Sequence, residues 1–494
     1  MVPAVVLLLA LNLGACSSGG GGGGDSGNNT NLPTPTPTPT PSPPPVPSSG
    51  WGSATQLGTL RDIFYTDIYD ASVAVNDSNH AFVAWTESGD CGGSVWVSGF
   101  DGAQWGTALN LGATGATAQS VAMNASGDAV VVWQKNYYFN PPTCGGISGS
   151  EIWVRRLKAG TWQAAERVSD ASGEDFSFYA IDPVVTIDDN GGITVAWSQE
   201  RVAPAPGVIL GTYVRRFEGT SWSSATRISS PDRYSWEVQA GVAGNGDVTV
   251  VWRQDTNPYD PGQTAGGPIL PTIWAARYVV ASPGWTAAQR IGTTDLAGYD
   301  YEERPRLSVG RNGHVGVLWE RQITGTTPER SIYAARFEPA SVSWLAPVAL
   351  EQLAAAAYWP TVVVDPAGNM QAAWIQTESN IDNLYTARLV ASTGTWSLPQ
   401  SLEALDTHAQ PPVAGIDANG RALVVWSQTV ATSQKLLARH ITASSAEATV
   451  EIGFGSDPSL AVNAGGFAVV AQPKTVFTST AFMTSVYATL YVPN

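Results

Sequence analysis

One residue of each repeat, standing just ahead of an apolar run, carries most of the chemistry in this chain: Asp70, Ala118, Asp182, Glu237, Arg304, Trp359, Pro411 and Asp457. Carboxylates and an arginine at equivalent positions suit a cation, a sugar or a peptide. Aromatic residues stand beside them, Tyr69, Tyr179, Trp236, Tyr301 and Tyr358 joining Trp359. Their faces suit stacking on sugar rings or burying a partner's side chains. Asp182 and Glu237, on consecutive repeats, also have the residue types of a glycoside-hydrolysing pair. Every one of these residues equally suits a rim position that caps a strand, so the collective surface is better supported than any single member.

Other chemistry has few carriers. The sequence holds no GxSxG, HExxH or GxxxxGK[ST] pattern, so nothing marks a nucleophile elbow, a zinc protease or a phosphate loop. His80, His314, His408 and His440 are scattered, two of them at hairpin turns, and no metal or other cofactor is expected. The Asp188-Asp189-Asn190-Gly191 stretch starts like a calcium loop but lacks the later Glu, and reads as a hairpin turn. A net charge of −16 argues against nucleic acid as a partner.

The elements that must position these residues form a repeat. VAMNASGDAVVVW (121–133) is an apolar strand, a turn and a second apolar strand ending on Trp, and it recurs eight times from residue 71 onward. The turn closes on Asn79, Gly127, Gly191, Gly246, Gly313, Gly368, Gly420 or Gly466, as a type I turn with a left-handed fourth residue requires. Six residues later stands Trp85, Trp133, Trp197, Trp252, Trp319, Trp374 or Trp426, with Gln472 in the eighth unit. A third strand carries Arg156, Arg216, Arg277, Arg336, Arg388 or Arg439, and a fourth opens on another Trp. Residues that recur in this way read as scaffold: the tryptophans as core, the arginines as partners within their blades.

The first folded stretch, WGSATQL from Trp51, is a fourth strand with no first three before it, while SVYATLYV (485–492) is a third strand with no fourth after it. This predicts an all-β, eight-bladed β-propeller of four-stranded antiparallel blades, closed when residues 51–60 complete the last blade. An open solenoid would need polar capping repeats, and none is present. In this arrangement the first strands line the channel, the short turns after them leave one face plain, and the long dissimilar loops crowd the other. Cys91 and Cys144 lie in such loops of consecutive blades and suit a disulfide in an oxidising compartment.

Residues 1–15 read as a signal peptide with an apolar core too short to span a bilayer. Leu13-Gly14-Ala15-Cys16 resembles the lipobox of bacterial lipoproteins, and implies a lipid on Cys16. The Ser that follows resembles the outer-membrane sorting pattern. Residues 16–50, rich in Gly, Pro and Thr, read as an extended tether, and 51–494 as the propeller. The GDAVVVWQ (127–134) and GTWQAAERVS (160–169) strands resemble propeller repeats of poorly characterised bacterial surface lipoproteins. Sialidase-like propellers are a more distant comparison, since their SxDxGxxW box does not occur. The sequence thus favours a monomeric, membrane-tethered binding or scaffold module, with a protein or glycan on its long-loop face, over a carbohydrate-active enzyme of the same fold.

Overall fold

The computed structural model describes residues 46–62, 68–88, 92–112, 115–138, 147–169, 179–202, 208–257, 270–293, 300–323, 330–351, 355–403, 407–477 and 481–493. Eight separate antiparallel sheets of four successive strands, A to D, make up these residues. Strand A of each sheet neighbours strand A of the next, from Ile68–Val75 in blade one round to Ser459–Val462 in blade eight, which returns to blade one. The chain is an eight-bladed β-propeller.

Closure follows the expected route. Gly50–Trp51, Thr55–Gln56 and Arg61–Asp62 all pair with Phe482–Val492, strand C of blade eight. Trp51 lies 5.1 Å from Tyr491, centroid to centroid, and Val46 packs on the core between blades eight and one. Gly50, just ahead of the closing segment expected from residue 51, also pairs with Val492. Cys16, the signal peptide and most of the tether lie outside the described residues, as do Cys91 and Cys144.

The strand B tryptophans are the core. All seven are fully or almost fully buried, each against the preceding blade: Trp85 meets Val469 and Ala471 of blade eight, and Trp197 meets Val130 and Val132 of blade two. Burying so large a ring contributes several kcal/mol. Five of the indoles donate to the residue two positions on, as Trp197 does to Gln199 at 2.8 Å. Trp and acceptor share a face because the strand period is two.

All eight A–B turns have the expected left-handed fourth residue, with Asn79 at φ 60° and seven glycines between 76° and 88°. Where the first turn residue is Asn or Asp, its Oδ1 accepts main-chain N–H groups, as Asp188 does from Asn190 and Gly192. The turns are tied to one another: Asn463 of blade eight donates to Asn76 O and Asn79 Oδ1 of blade one at 2.9 and 2.8 Å.

The strand C arginines do bind scaffold, across blades as well as within them. Arg156, Arg216 and Arg277 each lie 4.0 Å over an aromatic ring of the following blade, Phe217, Tyr278 and Phe337. Arg439 is not their equivalent. Strand pairing aligns His440 with Arg156, and Arg439 with Arg155. Arg439 accordingly donates to Glu447 O at 2.6 Å, as Arg155 donates to Gln163 O at 2.7 Å. Aligning residues 436–440, LLARH, by Arg439 shifted this blade by one residue, and a one-residue shift turns each side chain to the opposite face.

Candidate functional site at the channel mouth

A β-bulge opens strand A in six blades, between Tyr69 and Ser72, Thr117 and Gln119, Ile181 and Val184, Trp236 and Gln239, Glu303 and Arg306, and Tyr358 and Thr361. The expected rim residues sit in these bulges or in the equivalent position. Five of them have left-handed backbones: Asp182 at φ 52°, Glu237 at 57°, Arg304 at 54°, Trp359 at 54° and Asp457 at 49°. An L-residue there costs roughly 1–2 kcal/mol, which glycine avoids. The same chain places glycine at seven of its eight left-handed A–B turn positions, yet at none of these five. The strain is carried by residues with charged or aromatic side chains.

Blades three to six bring most of them into one cluster. Glu237 accepts from Arg304 N at 2.7 Å and pairs with Arg253 at 3.2 Å. Glu320, nearly inaccessible, accepts from Trp359 N at 2.8 Å and pairs with Arg304 and Arg330, both at 3.1 Å. Glu303 joins through Arg253 at 3.5 Å and Arg330 at 3.6 Å. Arg253 lies over the rings of Trp236, at 4.8 Å, and Tyr301, at 5.5 Å. Tyr358 meets Trp359 edge to face at 4.8 Å, and its hydroxyl bonds Thr377 and Asp382. Burial and the Asp382 bond push that hydroxyl up to about 12.

Further electrostatics follow from enclosure. Burial, reinforced by the charge of Glu237, raises the Asp182 carboxyl above its usual range; Asp182 N donates to Gln134 at 3.3 Å. Burial pushes Asp255, at the end of the neighbouring strand B, up to about 6 against the pull of Arg253 and Arg233. Burial lowers the Arg304 guanidinium, but Glu320, Glu303 and Glu237 outweigh it and raise the net value. Arg306 goes the other way: burial dominates and lowers it.

Other expected rim residues fall apart from this cluster. Asp457 is exposed on blade eight, and Pro411 belongs to blade seven, where proline fixes a negative φ. Tyr179 O accepts from Glu200 N at 2.8 Å beside blade three. The side chains of Tyr69, Asp70 and Ala118 lie outside the described residues. Arg253, Glu303, Arg306, Glu320 and Arg330 were not among the expected residues. A signal existed for three supports: Gln134, Arg253 and Glu320 each follow a strand B Trp directly.

The opposite face is not plain. A cavity of about 500 Å³ lies among the A–B turn ends of the inner strands. Arg311 of blade five spans it, pairing with Asp77 of blade one at 3.0 Å and Asp189 of blade three at 2.7 Å. Short turns alone did not reveal this, because the charges come from the second turn position, whose residue type differs from blade to blade. Among the described residues no group of three or more His, Cys, Asp or Glu side chains forms a metal centre.

No family model matches the sequence, and no curated protein matches it. Among solved structures the chain is similar to an ulvan lyase of a polysaccharide lyase family, at 12% identity, covering 76% of this chain and 91% of that one with a TM-score of 0.47. It is also similar to the Dos1 propeller, at 9% identity, 88% and 95% coverage and a TM-score of 0.45. A third is the α-L-arabinanase of Penicillium chrysogenum, at 16% identity, 76% and 93% coverage and a TM-score of 0.38. Likenesses this distant carry no activity across, and the fold assignment rests on the strand pairing of this chain.

Proposed function

We propose that this protein is a binding propeller whose ligand, a glycan in preference to a protein, sits at the channel mouth on the long-loop face. The supporting observation is the set of strained, non-glycine residues Asp182, Glu237, Arg304, Trp359 and Asp457. Strain of this kind concentrates where side chains must be presented in a fixed direction. Ion pairing among Glu237, Arg253, Glu303, Arg304, Glu320 and Arg330 supports a pre-organised surface, which lowers the entropy lost on binding. On this reading the molecule is monomeric, extracytoplasmic and held to an outer membrane or cell surface by a lipid on Cys16, with Cys91 and Cys144 joined in a disulfide. The tether composition and lipobox support that placement. Metabolic lipid labelling that persists in a Cys16→Ser variant would sink it.

A second reading, a carbohydrate-active enzyme, has one observation in its favour. Burial and the charge of Glu237 raise the Asp182 carboxyl, and a carboxyl held protonated beside a second carboxylate suits a general acid. A polysaccharide array scored for both retention and cleavage tests the two together. Retention without cleavage is expected. Cleavage that disappears in Asp182→Asn would replace the binding reading with the enzymatic one, and a lack of any retention would defeat both.

A further inference from the structure

Three of the four arginines at the mouth are committed to carboxylates. Arg253 pairs with Glu237 and Glu303, Arg304 with Glu320, and Arg330 with Glu320 and Glu303. Arg306 pairs with none of the described residues; its one hydrogen bond is a 3.3 Å contact from Nη1 to the carbonyl of Pro305. It stands on strand A of blade five, Tyr301–Val309, two residues beyond left-handed Arg304. Its side chain is exposed to solvent, and Glu237 and Glu320 are near enough for their charges to act on it against the desolvation that lowers its pKa. An exposed guanidinium with no carboxylate of the described residues in ion-pair contact is open to an anionic ligand. The planar fork of arginine matches a carboxylate with two parallel hydrogen bonds.

We infer that Arg306 receives the carboxylate of an acidic polysaccharide, one built from uronic acid sugars, at the channel mouth. This rests on the binding reading above and names its ligand class. Among the described residues Arg306 is the mouth arginine without a carboxylate in ion-pair contact, and a uronic acid brings one negative charge per sugar. Sugar rings also carry C–H faces, and the half-buried rings of Trp236, Tyr301 and Trp359 border the same cluster. Their neighbours supply hydrogen-bonding groups, such as Gln322 on the Tyr301 hydroxyl at 2.5 Å. A protein partner would call for an apolar anchor area. Among the described residues, none of the exposed large apolar side chains belongs to a strand A; Val342, Leu398 and Phe477, the most exposed, stand on other parts of their blades.

The test uses the full chain and its Arg306→Gln and Arg306→Lys variants. Each is passed over immobilised polygalacturonate, alginate and hyaluronan, with a sulfated galactan, neutral dextran and neutral arabinan alongside. Retention on at least one carboxylated polymer is expected, weakened about tenfold or more in Arg306→Gln and less in Arg306→Lys, as loss of a charge-assisted pair implies. Thermal unfolding should be unchanged in both variants, because Arg306 anchors nothing else. Undiminished retention by Arg306→Gln overturns the inference. Retention on neutral or sulfated polymers alone overturns it while leaving the binding reading intact. No retention on any polymer overturns both.

Discussion

Glu320 is the residue on which the mouth depends, and its removal has a calculable consequence. Its carboxylate is 1% exposed, holds Trp359 N at 2.8 Å and takes Arg304 and Arg330 at 3.1 Å each. Glu320→Ala leaves a main-chain N–H without its acceptor and two guanidiniums short of a partner. Removing one side of a buried pair costs about 3–5 kcal/mol. Arg304 and Arg330 are 39% and 33% exposed, so water screens part of the loss, and the lower figure, about 3 kcal/mol, applies. At about 2.1 cal/mol/K per residue, roughly 450 folded residues unfold with an entropy near 0.9 kcal/mol/K, and the melting temperature falls by about 3 °C. Glu320→Gln keeps an acceptor for Trp359 N but not the charge, and should lose about half as much. Scanning calorimetry measures both, and polymer retention should fall in parallel as Arg304 and Trp359 lose their positions. A Glu320→Ala protein that melts and binds like the parent would refute the view that this carboxylate organises the mouth.

Three further outcomes follow from the same geometry. Asp457 is exposed and left-handed, so Asp457→Gly should raise stability by up to about 1 kcal/mol whereas Asp457→Ala should not; equal melting temperatures for the two would show that the bulge is unstrained. Asp255 has a folded pKa of about 6, above its unfolded value, so it favours the fold below pH 4 and that contribution is lost as pH rises through 6. Asp255→Asn should therefore raise the melting temperature at pH 7.5 and leave it unchanged near pH 4. Arg311 and its two aspartates are each about half exposed, so Arg311→Ala should cost only about 1 kcal/mol, and that difference should shrink in 1 M salt.

Most of the architecture was legible because it repeats. The turn glycines, the Trp column and the unmatched strands at the two ends of the array specified eight blades and their closure, and the structure has both. The rim was legible as a set of positions, since register located Asp182, Glu237, Arg304 and Trp359 on equivalent bulges. Their left-handed backbones were not, because a bulge changes the local backbone without leaving a glycine to mark it. Glu303, Glu320 and Arg330 escaped notice for a different reason: they come from strands A, B and C of a single blade, and only the pairing within that sheet, which sets Glu303 opposite Glu320, brings them together. Arg439 shows the limit of aligning by residue type. Its neighbour His440 occupies the position of Arg156, is buried against Tyr491 at 4.7 Å and is lowered to about 4 by burial and Arg421.

The central claim is that ligand binds on the long-loop face, at blades three to six. Hydrogen exchange measured by mass spectrometry on the full chain, with and without a retained polysaccharide, tests it most directly. Slowed exchange should appear in segments 179–184, 235–240, 301–307 and 357–361. Protection confined instead to the A–B turns around Asp77, Asp189 and Arg311 would place the ligand at the opposite face and contradict the account.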